Sequence, residues 1–415
     1  MIGATNGPGP EGRTARSSAV ALTTALCFAT AAMEGFGLQS VGVAAGRMAQ
    51  EFHLSAAEIG WVASASTSGL LPGAIFGGSL ADWVGRKRVL VWAVLTFAVF
   101  TLATTWAGGY WALLGARFLT GLGLGATLPN LIALSAEVAA PACRSRYIGI
   151  MYSGVPAGGA LASVVSIVGG THGEWRPIFD IGGSLSIMVA GLLFLILPES
   201  PQFRGRLRSV SGKTQPGRVG SLRVLFGDTR AVSTLLMWMC LFFHMLVIYV
   251  LLNWLPLLLV NKGFSTGQAD AIQLVFNLGA VAGNLLFGRL MDRGSRWATA
   301  MLMYGLVIAS LTAIDYVAGF PAMVALSFAV GVFAVGGQMV VYAIVPIYYP
   351  TLMRATGVGW AVAVGRVGAF AGPVLVGEAL RSGLGSRAIL IGAAPALSIA
   401  AAAVMALLSR PVASD

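Results

Sequence analysis

Charged residues are scarce in this sequence. Asp, Glu, Lys and Arg make up only 10% of the 415 residues, whereas soluble globular proteins carry about a quarter. The hydrophobic share is 57%, and the mean hydropathy is +0.83. This composition excludes a soluble protein and predicts an all-α integral membrane protein. A dozen spans of about 20 residues would consume nearly the whole length, which leaves no room for a large soluble domain.

Cysteine and histidine are also scarce, with three residues of each. The cysteines lie in or beside apolar segments, so a disulfide framework is not expected. The scattered histidines have no metal-ligand spacing, and no segment carries the paired reactive side chains of an enzyme. We therefore expect no metal site, no cofactor and no catalytic residues.

Long apolar runs are what the sequence has in abundance. Their pattern predicts twelve transmembrane helices. The predicted segments, numbered 1 to 12, are 19–49, 56–81, 89–107, 109–138, 146–170, 176–197, 230–260, 268–290, 298–316, 320–346, 354–380 and 387–408.

The cations are distributed unevenly over the predicted loops. If the N-terminus lies in the cytoplasm, 19 of the 26 Lys and Arg residues fall on the cytoplasmic side and five on the other. Arg117 and Arg366 remain within segments. The positive-inside rule explains this asymmetry and the net charge of +11 better than nucleic-acid binding does. We predict a multi-pass protein of the inner (cytoplasmic) membrane with both termini in the cytoplasm.

The sequence also divides into two similar halves. Gly78, Asp82 and Arg86 recur 210 residues later as Gly288, Asp292 and Arg296. Two parallel six-helix repeats predict a transporter with its site between the halves, near the midplane. The expected divisions are a cytoplasmic tail over 1–18, an N-terminal six-helix bundle over 19–198, a linker over 199–229, a C-terminal six-helix bundle over 230–408 and a tail over 409–415.

Several motifs resemble a known family. Gly78-x-x-x-Asp82-x-x-Gly85-Arg86-Lys87-Arg88 resembles the signature between helices 2 and 3 of the major facilitator superfamily, although Trp83 replaces the usual Arg. The runs from Met33 to Gln39, from Asn253 to Leu259 and from Gly365 to Gly368 are similar to the aromatic acid:proton symporters. Within that family, the chain most resembles transporters of hydroxylated phenylpropionates.

The resemblance implies a major facilitator fold and a secondary active transporter that is not an enzyme. Such a protein would import a small aromatic monocarboxylate together with protons and use the proton gradient as its energy source. The alternative is a proton-driven exporter of aromatic or drug-like compounds. We expect a monomer in the lipid bilayer without a nucleic-acid partner.

The motif residues predict a network of charges that controls gating. Gly78 should allow close helix approach, and Asp82 should cap a helix or pair with an Arg across the two halves. The alternative is a cationic loop that only sets topology. The predicted network comprises Asp82, Arg86, Arg117, Glu137, Arg144, Glu199, Asp292, Arg296 and Arg354.

Two intramembrane charges are the main candidates for function. A carboxylate near the bilayer centre costs roughly 2.5–3.5 kcal/mol on insertion scales, so Glu34 is expected to couple protons or orient the substrate. Arg366 offers a permanently charged planar fork for a carboxylate. The alternatives are a structural hydrogen bond for Glu34 and a structural pair of Arg366 with Glu34 or another buried acid. The family motif has a second acid where this chain has Gly37, which weakens the symporter inference.

Other polar residues in apolar segments complete the candidate site. His244 lies 210 residues after Glu34 and is a second candidate for proton coupling, because histidine titrates near neutral pH. The others could contact a hydroxylated ring or bond helices to one another. The full substrate-binding set is Glu34, Asn130, Tyr152, His244, Asn253, Trp254, Gln273, Asn277, Gln338, Tyr342 and Arg366.

Overall fold

A computed structural model describes residues 10–138, 144–169, 174–199, 225–227, 230–349 and 354–410. Within these residues, twelve helical spans are long and apolar enough to cross a membrane, which confirms the predicted number. The helices that contain spans 1 to 12 are Pro10–Phe52, Ala56–Val84, Arg86–Thr105, Tyr110–Val138, Arg144–Tyr152 with Gly154–Gly169, Arg176–Ile196, Arg230–Asn261, Thr266–Arg293, Arg296–Ala313, Phe320–Val330 with Gly331–Val335 and Gln338–Ile344, Arg354–Arg381, and Ser386–Leu408.

Two spans are interrupted. Span 5 breaks at Ser153, and span 10 contains the π-helical turn Gly331–Val335. Short 3₁₀ turns follow span 9 at Ile314–Tyr316 and span 10 at Val345–Tyr348. A π-helical turn inside an α-helix is frequently found at functional sites.

The predicted divisions of the chain fall partly outside the described residues. Most of the expected linker at 199–229 and parts of both tails are not among them. The first helix begins at Pro10, within the expected tail, and the part of it that could cross a membrane is Val20–Phe52. The division into bundles, tails and linker therefore stays a prediction.

The 210-residue repeat is visible in the packing of glycines. A Cβ added to Gly121 would lie 2.7 Å from the carbonyl carbon of Ser66. A Cβ added to Gly331 would lie 2.9 Å from the carbonyl carbon of Phe276. Both members of the second pair lie 210 residues after those of the first. Spans 4 and 10 thus pack against spans 2 and 8 in the same way, and each contact requires a residue without a side chain.

The helix caps repeat with the same spacing. Ser55 and Glu58 form a capping box at the start of span 2, and Ser265 and Gln268 form one at the start of span 8. In each, the Ser hydroxyl accepts a bond from a backbone N–H of the first turn, and the longer side chain accepts one from the Ser backbone N–H. The same local sequence signal therefore starts the equivalent helix of each half.

The motif that begins at Gly78 forms a very tight turn. Span 2 ends at Val84 and span 3 begins at Arg86, so Gly85 alone connects them, with φ of 107°. Only glycine adopts this conformation without strain. The expectation that Gly78 allows a close helix approach is wrong, because among the described residues no atom of a neighbouring helix lies within 4 Å of a Cβ added there. Gly77 has that role instead, since an added Cβ would lie 2.6 Å from Ala126 Cα.

The bundle has two ends, which we name after one residue each. The Arg86 face is the end at which span 2 passes into span 3, and the Arg47 face is the end at which span 1 passes into span 2. Towards the Arg47 face, the Ser64 hydroxyl of span 2 donates to the carbonyl of Phe370 in span 11, at 2.8 Å. The rings of Trp61 and Phe370 meet edge to face at 5.9 Å. These contacts hold the two halves together at that end.

Three polar residues near the Arg47 face also connect the halves. Arg47 Nη1 donates to Ser166 Oγ at 2.9 Å, and Ser166 Oγ donates to Asp270 Oδ2 at 2.6 Å. Arg47 Nη2 lies 3.7 Å from Asp270 Oδ2. We call this set the Arg47 network. It joins spans 1 and 5 of the first half to span 8 of the second.

Candidate functional site

A cavity lies between the two halves, at the middle of the bundle. The space between its lining atoms, including the part that is open to solvent, is about 550 Å³. Spans 1, 5, 7, 8, 10 and 11 contribute its lining residues, which are Glu34, Leu38, Gln39, Tyr152, Val155, Pro156, Ile248, Tyr249, Leu252, Asn277, Asn284, Val335, Gln338 and Arg366.

Arg366 is the only cation among those lining residues. Its Nη1 donates to the hydroxyl of Tyr249, on span 7, at 2.6 Å. No other hydrogen-bond partner of the guanidinium occurs among the described residues, so the rest of the donor fork is available to the cavity. Tyr249 thus fixes the orientation of a permanent positive charge.

Glu34 is the only acid in the lining, and 2% of its surface is exposed. Its Oε2 accepts one bond, from Thr127 Oγ1 at 3.2 Å. The same hydroxyl also lies 2.6 Å from the carbonyl of Leu124. Because a hydroxyl has one proton to donate, Thr127 shares it between the two acceptors. Within the described residues, Glu34 therefore has little compensation for a buried negative charge.

Glu34 and Arg366 line the same cavity without pairing directly. No ion pair within 4.0 Å joins them in the part of the chain that the structure describes. The structural pair considered from the sequence is thus not formed in this conformation. The two groups come from opposite halves, so a ligand between them would contact both.

Amide side chains form a polar wall across the two halves. Gln39 of span 1 and Asn277 of span 8 exchange hydrogen bonds of 3.0 and 2.9 Å. Gln273 Nε2 donates to Gln39 Oε1 at 3.1 Å. Gln273 and Asn277 therefore share Gln39 as a partner, and Gln39 and Asn277 line the cavity. Substrate binding by Gln273 and Asn277 stays a prediction. Asn284, which follows Asn277 by seven residues on span 8, also lines the cavity.

Two tyrosines from opposite halves contact each other beside the cavity. The rings of Tyr152, on span 5, and Tyr342, on span 10, meet edge to face with centroids 6.2 Å apart. Gln338 lies one turn before Tyr342 and donates to Met245 Sδ at 3.7 Å. Both tyrosines and Gln338 were predicted for the site, and Tyr152 and Gln338 line the cavity itself.

Six predicted residues do not line the cavity, which are Gln273 and Tyr342, described above, and Asn130, His244, Asn253 and Trp254. Asn130 and Asn253 each donate to a carbonyl one turn back on their own helix, at 2.9 Å. Trp254 Nε1 donates to the carbonyl of Pro373 at 3.1 Å. His244 is fully buried in the second half, where its Nδ1 lies 3.4 Å from the Tyr304 hydroxyl. Although His244 and Glu34 occupy equivalent positions in the two halves, Glu34 lines the cavity and His244 does not.

The predicted charge network is partly described. Arg86 pairs with Glu137, both in the first half. Glu199 Oε1 accepts the backbone N–H of Lys87 at 3.1 Å, and Arg296 is exposed. The side chains of Asp82, Arg144, Asp292 and Arg354 lie outside the described residues. The expected pairing of Asp82 across the two halves thus stays a prediction.

Arg117 is fully buried and unusual in its partners. Its Nη2 donates to the carbonyl of Gly37 at 2.5 Å, and its guanidinium lies 5.5 Å from the centre of the Phe179 ring. Its Nε and Nη1 have no hydrogen-bond partner among the described residues. Arg117 therefore contacts the position where the family motif has a second acid and this chain has none.

Comparison with known proteins agrees with this architecture. The profile of the Major Facilitator Superfamily matches residues 27–275 and 237–415. The chain belongs to the Major Facilitator Superfamily. Among solved structures, the partially occluded, inward-open xylose transporter XylE from E. coli superposes with a TM-score of 0.76 over 95% of this chain and 98% of that chain, at 18% identity. The predicted major facilitator fold is confirmed.

Relatives within the superfamily are named as transporters of aromatic acids. The 3-(3-hydroxy-phenyl)propionate transporter of Escherichia coli (strain K12) is 45% identical, over 95% of both chains. The 4-hydroxybenzoate transporter PcaK of Pseudomonas aeruginosa is 32% identical, over 92% of this chain and 90% of that one. The gentisate transporter of Corynebacterium glutamicum is 33% identical, over 91% and 85%. These relatives confirm the predicted family and the prediction of a transporter rather than an enzyme.

Proposed function

We propose that this protein imports an aromatic monocarboxylate, similar to hydroxyphenylpropionate, together with a proton by alternating access. The observation that carries the proposal is the cavity between the two halves, which has one cation, Arg366, and one buried acid, Glu34, in its lining. The aromatic acids named for three relatives support the substrate class.

Arg366 would hold the carboxylate of the substrate. A guanidinium presents parallel N–H groups that match a carboxylate, and it stays charged when buried. The bond from Arg366 to Tyr249 uses one terminal nitrogen and leaves other donors for the substrate. The apolar side chains of Leu38, Val155 and Ile248 in the lining suit an aromatic ring.

Glu34 would carry the proton, because its negative charge would repel the carboxylate of a substrate in the same cavity. With Arg366 alone as the cation, an ionised Glu34 and a substrate anion would leave one uncompensated negative charge. Two like charges about 6 Å apart repel by roughly 3 kcal/mol at an effective dielectric constant of about 20. A proton on Glu34 removes that repulsion, so binding of the anion favours uptake of one proton.

Coupling to a proton also removes the electrical barrier to import. An anion that enters against a negative-inside potential requires about 2.3 kcal/mol per 100 mV, and a co-transported proton makes the step electroneutral. We give this role to Glu34 alone, since His244 does not line the cavity. The gradient is then the energy source, and no cofactor enters the cycle.

The orientation and location follow from the cations. We place the Arg86 face in the cytoplasm, because Arg86, Lys87 and Arg88 lie there and most other cations are on the same side. Both termini would then be cytoplasmic, in the inner membrane of a bacterial-type cell. We expect the monomer to be the transporting unit, since each chain has its own cavity between two halves.

Transport into proteoliposomes tests the proposal. Labelled 3-(3-hydroxyphenyl)propionate should accumulate when the lumen is made alkaline, and it should not accumulate with Arg366→Ala. Arg381→Ala is the matched control, because that side chain is 66% exposed and pairs with its neighbour Glu378. Uptake that is indifferent to the imposed gradient would contradict proton coupling. Outward flux of neutral aromatic compounds without uptake of acids would favour the exporter.

A further inference from the structure

One amide in the cavity differs from the others in its hydrogen bonding. Asn277 and Gln39 satisfy each other across the two halves, and Gln338 donates to Met245. Asn284 is 5% exposed, and no hydrogen-bond partner of its Oδ1 occurs among the described residues. Within the lining of the cavity, it is the only buried side-chain oxygen described as unpartnered.

Asn284 lines the same cavity as Asn277 and Arg366. It lies seven residues, or about 10 Å along the helix, beyond Asn277 on span 8. Seven residues are two helical turns, so the two side chains share the face of span 8 that lines the cavity. Asn284 therefore continues the polar wall away from the Gln39 contact.

A buried acceptor without a donor requires a specific kind of ligand group. Leaving an amide oxygen unsatisfied costs about 1–3 kcal/mol, and a ligand that donates a hydrogen bond recovers that energy. The substrate carboxylate cannot do so, because an ionised carboxylate only accepts hydrogen bonds. An unsubstituted aromatic ring offers no donor either. A phenolic hydroxyl does.

We propose that Asn284 accepts a hydrogen bond from a ring hydroxyl of the substrate and selects hydroxylated aromatic acids over unsubstituted ones. The inference rests on the proposed function, since it takes Arg366 as the group that holds the carboxylate. Arg366 then sets affinity for the acid, and Asn284 reads the substituent on the ring. A site that is built to bond a hydroxyl discriminates strongly against an analogue without it, because its polar group is then left unpaired.

The test compares two acids that differ by one hydroxyl, 3-(3-hydroxyphenyl)propionate and 3-phenylpropionate. Dissociation constants are measured calorimetrically on the purified full-length protein. The wild type should prefer the hydroxylated acid at least tenfold, and Asn284→Leu, which keeps the branched shape and the number of side-chain heavy atoms, should reduce that preference to less than about threefold. Asn284→Thr keeps an acceptor and should retain an intermediate preference.

A second readout separates this role from a general structural one. Asn284→Leu removes a buried unsatisfied amide, so the ligand-free protein should melt at a higher temperature while its selectivity falls. Thr101→Val is the matched control, because Thr101 Oγ1 is also buried and unpartnered in the described structure but lies on span 3, outside the cavity lining. Thr101→Val should leave the preference for the hydroxylated acid unchanged.

The outcomes distinguish the two proposals. If the wild type binds both acids and Asn284→Leu keeps the full preference for the hydroxylated one, the role of Asn284 is refuted and the proposed function stands. Equal affinity of the wild type for both acids refutes it in the same way. If the wild type binds neither acid, the aromatic substrate class fails, and the inference about Asn284 fails with it.

Discussion

The Arg47 network predicts how the transporter opens. Asp270 is 1% exposed and Arg47 13%, so both charges are largely removed from solvent when the halves meet. Asp270→Asn keeps the volume of the side chain and an oxygen for the Ser166 hydroxyl, but it removes the negative charge. Closing the Arg47 face would then bury Arg47 without a counterion. We expect the substitution to favour the conformation that is open at that face.

The burial of the pair sets the size of the effect. Exposed ion pairs contribute up to about 1 kcal/mol, and breaking a fully buried pair costs about 3–5 kcal/mol. The separation of 3.7 Å and the partial exposure of Arg47 put this pair nearer the lower range, at about 1.5 kcal/mol. Since 1.4 kcal/mol corresponds to a factor of ten, the ratio of open to closed molecules should rise about tenfold.

Electron paramagnetic resonance between spin labels measures this ratio directly. Gly108, between spans 3 and 4, and Ser382, after span 11, are exposed residues of opposite halves at the Arg47 face. The longer-distance population should increase with Asp270→Asn, and it should not change with Asp180→Asn, because Asp180 is exposed and outside the network. Acidification should open the wild type in the same direction, because protonation of Asp270 also removes its charge. Unchanged distances in Asp270→Asn would refute the gating role of the network.

Three further predictions follow from single contacts. Gly37→Asp should have a higher melting temperature than Gly37→Ala, because the new carboxylate gives buried Arg117 a counterion. There is room for the side chain, since an added Cβ meets Leu124 at 3.7 Å or more. A melting temperature of Gly37→Asp equal to or below that of Gly37→Ala would contradict this. Gly85→Ala should destabilise the protein by about 1–3 kcal/mol in chemical denaturation, because a residue with a Cβ is strained at a φ of 107°. Gly115→Ala is the control and should not destabilise the protein, because Gly115 lies in a helix with open space around an added Cβ. Tyr249→Phe should weaken substrate binding about tenfold in calorimetry, because Arg366 loses the 2.6 Å bond that orients it. Tyr304→Phe is the control, since Tyr304 is outside the cavity lining. An equal loss of affinity in both variants would count against orientation of Arg366 by Tyr249.

Much of the fold was predictable because its determinants are local and repeated. Hydropathy alone predicts twelve spans, and the offset of 210 residues predicts two equivalent halves. The same offset relates the capping boxes at Ser55 and Ser265 and the glycine contacts at Gly121 and Gly331. The role of Gly78 was mispredicted because a motif does not show which of two adjacent glycines faces the neighbouring helix.

The site was predictable where a residue is costly to bury. Glu34 and Arg366 stand out as charges in apolar helices, and both line the cavity. Asn130 and Asn253 stand out for the same reason, but each bonds a carbonyl of its own helix. A polar residue can be satisfied locally in this way, and composition cannot distinguish the two cases.

Some lining residues could have been found from helical spacing. Asn284 follows Gln273 and Asn277 at separations of eleven and seven residues, which places all three on one face of span 8. Tyr249 and Gln39 give no comparable signal. Their roles depend on which faces of spans 1 and 7 meet the opposite half, and tertiary packing decides that.

The central claim is that a substrate anion at Arg366 brings a proton to Glu34. Proton uptake by the purified, weakly buffered protein tests it most directly, measured as 3-(3-hydroxyphenyl)propionate is added to saturation at a mildly alkaline pH, where Glu34 of the ligand-free protein is ionised. The wild type should take up close to one proton for each acid bound, and Glu34→Gln should bind the acid and take up close to none. Equal proton uptake by both proteins, or none by the wild type, would contradict the account.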